Sequence, residues 1–291
     1  MGADKIHDIK YSNFIEKLKS GQFKNISFMT GAGISTTAGI PDFRSSDNGL
    51  FKMMQEKYKL STPEEFFHIS TFETTPQLFY DFAKEFELDK YQPTPTHWFQ
   101  SFLVHKGLVN LIITRNIDAL ELKAKIPREK IIFAHGNMLE AHCYKCLKDY
   151  DIGLQQTHIK EGKVLYCTEE NCDMAVKPKV VFYGESLPKD FYERYEAFEE
   201  SDLGFIMGTS LKVYPFAMLP YDMTKSSWRI VINREQIGDS VKNNSRGFDY
   251  ENVAKGDIFL EGTTDDFVLK IINDCGWKAE FDKYVEEKKL E

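Results

Sequence analysis

The chain has 291 residues, of which 42% are hydrophobic and 28% charged, which is typical of a globular protein with one large domain or a large domain and a smaller companion. No window approaches 18 consecutive apolar residues, so we expect no transmembrane helix. The formal net charge of −8 argues against a broad phosphate-binding surface and against direct nucleic-acid binding, whereas it is compatible with a basic polypeptide partner.

The first ten residues are polar and of mixed charge, and they lack the apolar stretch of a secretory signal. An odd number of cysteines, five, disfavours a disulfide framework. We therefore expect an intracellular protein without a membrane partner, located in the cytosol, the nucleus or both.

Short apolar runs follow a first amphipathic helix predicted over residues 12–19. Because most of these runs are rich in Val, Ile or Phe and alternate little, they are typical of strands buried on both faces. The predicted strands are residues 26–29, 108–113, 131–133, 179–182, 203–207, 230–232 and 257–260. Helical stretches between them, at 77–86, 97–105 and 190–200, predict an α/β fold with a doubly wound parallel sheet.

Two segments interrupt this alternation. Residues 46–94 are rich in aromatic residues and helix formers, which predicts a helical insertion or a loop followed by helices. The stretch between 137 and 178 contains four cysteines and no helical periodicity, which predicts a small inserted module. The predicted division is a doubly wound α/β domain of residues 1–45, 95–136 and 185–291, an insertion of 46–94, and a small module of 137–184.

Polar clusters follow almost every predicted strand. In an open α/β sheet, ligands bind beyond the carboxyl ends of the strands, so these clusters are expected to converge on one crevice. The clusters are Thr30–Gly33, Thr114–Asp118, His135–Gly136, Gly208–Ser210, Asn233–Glu235 and Glu261–Thr264.

Four of the cysteines have the spacing of metal ligands. Cys143 and Cys146 are separated by two residues, and Cys167 and Cys172 follow, separated by four. Two chelating pairs of thiolates suit tetrahedral Zn²⁺, and four protein ligands predict a closed, structural site rather than a catalytic one. Cys275 stands apart and is expected to be a buried free thiol.

The glycine clusters and the histidine are weaker signals when taken singly. Gly31 and Gly33 follow a strand as in a phosphate-cradling turn, but Thr36 departs from the full dinucleotide fingerprint, and a plain turn explains them equally well. A capping role is an equal alternative for Asn116 and Asp118. His135 is a candidate general base because it lies at a strand end in the expected crevice.

Together, these motifs resemble the signature of the sirtuin family, and most closely its eukaryotic class I branch. The resemblance extends from about Lys24 to Trp277. It is carried by Gly31–Ser35 with Ala38–Arg44, Thr114–Asp118, His135–Gly136, the paired cysteines, Lys177–Pro178 with Val181–Glu185, Gly208–Leu211 and Ile232–Glu235.

The resemblance implies an NAD-dependent protein-lysine deacylase that produces nicotinamide, O-acyl-ADP-ribose and free lysine, with NAD and a structural Zn²⁺ as cofactors. It also implies that the α/β domain is a Rossmann-like NAD-binding domain, that the insertion of 46–94 includes the cofactor loop, and that the small module of 137–184 is a zinc-binding domain. It assigns His135 as general base and Asn116 as a second catalytic residue. It assigns substrate binding to Val181, Phe182 and Gly184. The cofactor contacts that it implies are Gly31, Ala32, Gly33, Ser35, Asp42, Phe43, Arg44, Arg115, Asn116, Asp118, Gly208, Thr209, Ser210, Asn233, Glu235 and Thr264.

Two residues depart from the family pattern. Arg115 stands where the family usually has Gln, so we expect retained but altered activity. Tyr183 stands where Phe is common, and we expect little effect from it. The expected partners are acylated-lysine proteins, such as histone tails or tubulin, and the expected state is a monomer. Acetyl and longer fatty acyl groups both remain open. Two rival functions also remain, a mono-ADP-ribosyltransferase and a non-catalytic NAD or ADP-ribose sensor.

Overall fold

A computed structural model describes residues 3–40, 55, 58–85 and 90–291. Six parallel strands form the main sheet, and they are β1 Ile26–Thr30, β2 Val109–Thr114, β3 Ile131–Phe133, β7 Leu203–Met207, β8 Trp228–Asn233 and β9 Asp257–Glu261. Their spatial order is β3-β2-β1-β7-β8-β9. This is the order of a doubly wound dinucleotide-binding sheet, so the predicted fold class is confirmed.

The strands of this sheet are buried on both faces, which explains why their sequences do not alternate. Neighbouring residues point into separate cores: Phe28 and Phe205 belong to one cluster, whereas Met29 and Ile206 belong to the other. The rings of Phe28 and Phe205 stack across the β1–β7 pair, with centroids 5.0 Å apart.

Helices cover both faces of the sheet. Residues from the first four helices named below pack into the Phe28 cluster, and residues from the next three pack into the Met29 cluster. The helices of the first face are Ala3–Lys19, Pro95–His105, Thr264–Asp274 and Lys278–Leu290, and those of the second are Lys189–Arg194, Glu196–Glu199 and Leu219–Asp222.

A second, three-stranded sheet holds the cysteine-rich segment. It is antiparallel, with the order β5-β4-β6, and comprises β4 Ala141–Cys143, β5 Asp149–Tyr150 and β6 Val176–Pro178. The prediction of a strand at 179–182 in the main sheet is therefore wrong. The observed strand, β6, ends at Pro178 and pairs with β4. The apolar run that follows it is buried by side-chain packing and not by hydrogen bonding to a neighbouring strand.

The cysteine-rich segment also contains a helix, Ile152–Glu161, which the lack of apolar periodicity failed to predict. Only Gln155 and Ile159 of this helix are buried, so its apolar stripe is too thin to detect. Its ends carry the signal instead, since the Asp151 side chain accepts a hydrogen bond from the Leu154 amide and Gly162 ends the helix in a left-handed conformation.

A third cluster of apolar side chains joins the small sheet to helices Ile69–Thr74 and Pro76–Glu85. It includes Phe72, Phe79 and Phe182. The hydroxyl of Tyr80 donates to the carbonyl of Val176 at 2.7 Å, which ties the second of these helices to β6. The remaining described helices are the short Leu120–Lys123 and several single turns. Within the described ranges, no helix has both the length and the apolar character needed to cross a bilayer.

Candidate active site

Two glycine turns meet where the strand order of the main sheet reverses, between β1 and β7. A Cβ atom on Gly33 would lie 2.5 Å from the Cα of Gly208, and one on Gly31 would lie 2.8 Å from the Gly208 carbonyl oxygen. Gly208 itself has a φ of +57°. These glycines are therefore required for backbone-to-backbone packing at the switch point, where doubly wound folds bind their ligands.

The amide of Gly33 is not available to a ligand, because it donates to the Gly208 carbonyl at 2.9 Å. This differs from a phosphate-cradling turn, in which that amide faces the pyrophosphate. The buried hydroxyl of Thr209, by contrast, has no hydrogen-bond partner among the described residues. An orphaned donor at this position is suited to a polar ligand in the crevice, and Ser210 beside it is half-buried.

A buried polar network lies beside the first glycine turn. The hydroxyl of Ser35 donates to the Asp118 carboxylate at 2.8 Å, and the side-chain amide of Asn116 donates to the Ser35 oxygen and to the Gly31 carbonyl, both at 3.1 Å. Asp118 also accepts the amide of Leu120 at 3.0 Å. The structure thus brings together the side chains of three predicted site residues. Asp118 is not the N-cap of helix Leu120–Lys123, because that position is Ala119 and no side chain caps the helix.

Two residues that sequence reasoning missed lie directly behind this network. The side-chain ligand atoms of His97, Asp118 and Glu121 all lie within 4.8 Å of one another, and the whole group is buried. His97 closes a capping box with Thr94, whose backbone amide donates to its Nδ1 at 3.2 Å. The only signal in the sequence was this helix-start pattern, which does not reveal the neighbouring carboxylates.

Burial shifts the protonation of this group. Desolvation and the nearby Asp118 carboxylate raise the pKa of Glu121 to about 8, and desolvation lowers the pKa of His97 to about 3. Desolvation also raises the pKa of Asp118, although hydrogen bonds from Leu120 and Ser35 oppose it. Glu121 is thus held mainly neutral near pH 7, behind the Asp118 carboxyl group that accepts from Ser35.

His135 follows β3 directly and lies at the same edge of the sheet. Its neighbour Ala134 donates to Thr114 at the end of β2 at 2.8 Å, so the turn continues the sheet register. Gly136 has a φ of +69°, and a Cβ atom there would lie 1.6 Å from the Lys179 carbonyl oxygen. The His135–Gly136 turn is consequently pressed against the backbone that leads to residues 181–184.

The predicted substrate segment bridges the two parts of the molecule. The Val181 amide donates to the His135 carbonyl at 2.8 Å, and the Tyr183 amide donates to the Phe67 carbonyl at 2.6 Å. The ring of Phe182 is 1% exposed and packs into the third cluster, so in this conformation it fills the core rather than lining an open channel. Gly184 is exposed, with a φ of +92°.

The remaining predicted contacts are distributed along the edge of the sheet. Asn233 is half-buried and donates to the Glu235 carbonyl at 2.9 Å, while Glu235 is exposed. Thr264 is buried, and its hydroxyl accepts from Thr96 at 3.0 Å, so it faces the protein interior. Ala32 is exposed at the glycine turn. Asp42, Phe43 and Arg44 lie outside the described residues.

Arg115 extends from the end of β2, and its guanidinium carbon lies 5.5 Å from the ring centroid of Phe216. Its backbone amide donates to Thr30 at the end of β1 at 3.1 Å. The side chain thus lies over the aromatic face of Phe216. The geometry is that of a cation–π contact, for which a planar guanidinium is suited.

The four predicted metal ligands form one cluster. The sulfurs of Cys143 and Cys172 are 3.6 Å apart, as are those of Cys146 and Cys167, and all four lie within 4.8 Å of one another. A tetrahedral zinc with bonds of about 2.3 Å places its sulfurs about 3.8 Å apart, so the cluster fits Zn²⁺. The hydroxyl of Tyr150 donates to the Cys167 sulfur at 3.2 Å, as expected around a thiolate.

Comparison with known proteins identifies the family. The model described as "Sir2 family" matches residues 31–215, which include the glycine turns, the Asn116 network, His135 and the four cysteines. The chain therefore belongs to the Sir2 family, as its motifs predicted.

Its relatives include "NAD-dependent protein deacetylase sirtuin-2" of Danio rerio, which is 37% identical over 97% of this chain and 76% of that protein. "NAD-dependent protein deacetylase hst2" of Schizosaccharomyces pombe is 35% identical over 98% of this chain and 83% of that protein. "NAD-dependent deacetylase sir2A" of Dictyostelium discoideum is 40% identical over 92% of this chain. The matched region covers 52% of that protein, so the chain spans about half of its length.

Proposed function

We propose that this protein is an NAD-dependent protein-lysine deacetylase that transfers the acyl group of a modified lysine to ADP-ribose and releases nicotinamide. The observation that carries the proposal is that His135, the Ser35–Asn116–Asp118 network and the substrate segment meet at one edge of a Sir2-family sheet. Relatives that are 35–40% identical to this chain over the aligned regions are named deacetylases.

The crevice residues divide the work by their chemistry. NAD, when bound, would supply an electrophilic ribose carbon for the acyl oxygen and nicotinamide as the leaving group. The buried network of Ser35, Asn116 and Asp118 holds the nicotinamide end through fixed donors and acceptors, which favours departure without reorganisation. The imidazole of His135 takes a proton from a ribose hydroxyl, which turns that oxygen into a nucleophile toward the acyl group. Thr209 and Ser210 hold phosphate or ribose, and Asn233 and Glu235 bind the adenosine side.

We also propose the boundaries and partners that go with this activity. The NAD-binding domain comprises 1–45, 95–136 and 185–291, and the zinc-binding domain comprises 137–184. Four cysteines hold Zn²⁺ as a structural ion, since all four positions of a tetrahedral site are protein thiolates. The substrates are acylated proteins such as histone tails or tubulin. The enzyme acts as a monomer in the cytosol, the nucleus or both.

One assay tests the reaction. Purified zinc-loaded protein is incubated with NAD, with and without an acetyl-lysine peptide, and nicotinamide release and peptide mass are measured. Release that depends on the acetyl group, with loss of the acetyl mass, is the expected outcome. Release without acetyl dependence, accompanied by a gain in mass, would indicate an ADP-ribosyltransferase. No release would indicate a binding protein and overturn the proposal.

A further inference from the structure

Lys177, near the end of β6, is a lysine enclosed in the protein interior, with a side chain 1% exposed. Its Nζ donates to the Val180 carbonyl at 2.6 Å and to the Pro178 carbonyl at 3.3 Å, and it pairs with the Glu185 carboxylate at 3.0 Å. These three acceptors match the three protons of an ammonium group. The charge is thus paired and fully hydrogen-bonded, which a buried ion requires.

Glu185 closes this arrangement into a loop. The carboxylate oxygen that pairs with Lys177 also accepts the backbone amide of Phe182, at 2.7 Å. The ammonium group lies 4.5 Å from the centroid of the Phe182 ring. One ion pair therefore holds a carbonyl before Val181 and an amide after it, so both peptide planes that flank Val181 have a set orientation.

The carbonyl of Val181 is not used by this arrangement of hydrogen bonds. The carbonyls on either side of Val181 are occupied: that of Val180 by the Lys177 ammonium group at 2.6 Å, and that of Phe182 by the amide of Glu185 at 3.0 Å. Among the described residues, no donor reaches the Val181 carbonyl oxygen. An open acceptor beside the His135 turn is suited to the amide N–H of an acylated lysine side chain.

We propose that the Lys177–Glu185 ion pair is a positioning device for the substrate, which orients the backbone around Val181 so that its carbonyl receives the acyl-lysine amide next to His135. The inference rests on the proposed deacetylase function and extends it to two side chains that make no contact with the substrate. A buried pair of this kind stabilises a fold no better than well-packed apolar side chains do. Its contribution here is orientation.

The variants Lys177→Met and Glu185→Gln test this. Each keeps the approximate length of the side chain and removes one charge. The matched control is Lys10→Met, because Lys10 is also buried and its Nζ donates to three backbone carbonyls, those of Asp249, Tyr250 and Asn252, at 3.1–3.2 Å. All variants are compared at a fixed interval below their own melting temperatures, with zinc content verified.

The readouts are the dissociation constant of an acetyl-lysine peptide, by titration calorimetry in the presence of ADP-ribose, and the KM values for peptide and NAD. We expect Lys177→Met to weaken peptide binding and raise peptide KM about tenfold or more, with NAD KM within about twofold, as expected when buried charge-assisted hydrogen bonds are lost. Glu185→Gln should act in the same direction, and the double variant should be no worse than Lys177→Met alone. Lys10→Met should lower the melting temperature without changing peptide binding.

If Glu185→Gln and Lys177→Met bind the peptide as well as the wild type does, the inference is overturned and the proposed deacetylase function is not. If Lys177→Met does not fold, the result for Glu185→Gln alone decides. Equal losses of peptide and NAD affinity, or the same loss in Lys10→Met, also overturn it, because they indicate general destabilisation. A wild-type protein that binds no acetylated peptide overturns the proposed function, and the inference with it.

Discussion

The cysteine module and the crevice of the main sheet obtain their geometry by opposite routes. The four sulfurs come from one stretch of 30 residues, and the buried cluster around them contains little besides Cys143, Cys167 and Cys172 themselves. The crevice draws its polar groups from distant parts of the chain and places them on a sheet with a core on each face. A metal can replace a core where the chain is short, whereas the crevice depends on packing throughout the large domain.

Removing the metal is the strongest way to separate the two regions. We expect Cys143→Ser to lose zinc, unfold the module and abolish deacetylation, because structural zinc contributes about 10–16 kcal/mol of folding free energy in small zinc domains. Metal content by mass spectrometry and thermal melting measure the effect. Cys275→Ser is the control, since Cys275 is a buried free thiol in the large-domain core and should leave zinc content intact. Full activity in zinc-free protein would contradict this prediction.

A substitution in the crevice, in contrast, should lower catalytic activity without lowering stability. We expect His135→Ala to lower kcat by about 10²- to 10⁴-fold, the usual contribution of a general base, with the melting temperature nearly unchanged. Turnover and thermal melting are measured on the same zinc-loaded sample. If kcat falls less than tenfold, His135 is not the base.

The same contrast explains what could be predicted from the sequence. The zinc ligands are local, so their spacing alone indicates the site, and the strand-end clusters indicate the crevice because parallel strands end at one edge. The proximity of His97 to Glu121 could not be predicted, since residues 24 positions apart meet only through the packing of helix Pro95–His105 against helix Leu120–Lys123. The prediction of a strand at 179–182 was wrong for a related reason. An apolar run does not reveal whether it is buried by pairing with a neighbouring strand or by side-chain packing.

The buried group behind the crevice predicts a pH effect on the stability of the large domain. Because the folded pKa of Glu121, about 8, lies above its ordinary value of 4.5, the native state binds more protons than the unfolded state between these values. Its contribution to stability is present below about pH 4.5 and is lost as pH rises through 8. His97 acts in the opposite sense: its contribution is present above 6.5 and is lost as pH falls toward 3.

Glu121→Gln should therefore remove the loss of stability at high pH that Glu121 causes and keep the loss of stability in acid that His97 causes. We expect the variant to gain melting temperature relative to wild type between pH 6 and 9, while both lose stability in acid. Melting curves across this range provide the measurement. If the melting temperatures of the two proteins change with pH in the same way, Glu121 has an ordinary pKa and is ionised beside Asp118.

The glycine contact at the switch point predicts a smaller effect, confined to the crevice. Gly33→Ala should cost about 2–3 kcal/mol of unfolding free energy and raise NAD KM, because its Cβ overlaps the Gly208 backbone. Gly107→Ala is the control: its φ of +70° makes alanine unfavourable by about 1–2 kcal/mol, but a Cβ there meets nothing within 4 Å. Denaturant unfolding and NAD kinetics measure both, and a normal NAD KM in Gly33→Ala would argue that the turn does not shape the cofactor site.

The smallest effect concerns Arg115, which stands where the family usually has Gln. Its guanidinium lies over Phe216, so it is directed toward an aromatic face rather than carrying the carbonyl and amide of a Gln. We expect Arg115→Gln to lower NAD KM by about 2- to 10-fold, the range of one hydrogen bond of about 0.5–1.5 kcal/mol. Arg115→Lys separates charge from shape, because it keeps the cation and loses the planar stack. If the Lys variant retains the wild-type KM while the Gln variant does not, the charge sets the affinity; if both shift equally, the stack on Phe216 does. Identical KM and kcat in all three proteins would mean that the crevice tolerates this substitution and that the Asn116 network alone holds the nicotinamide end.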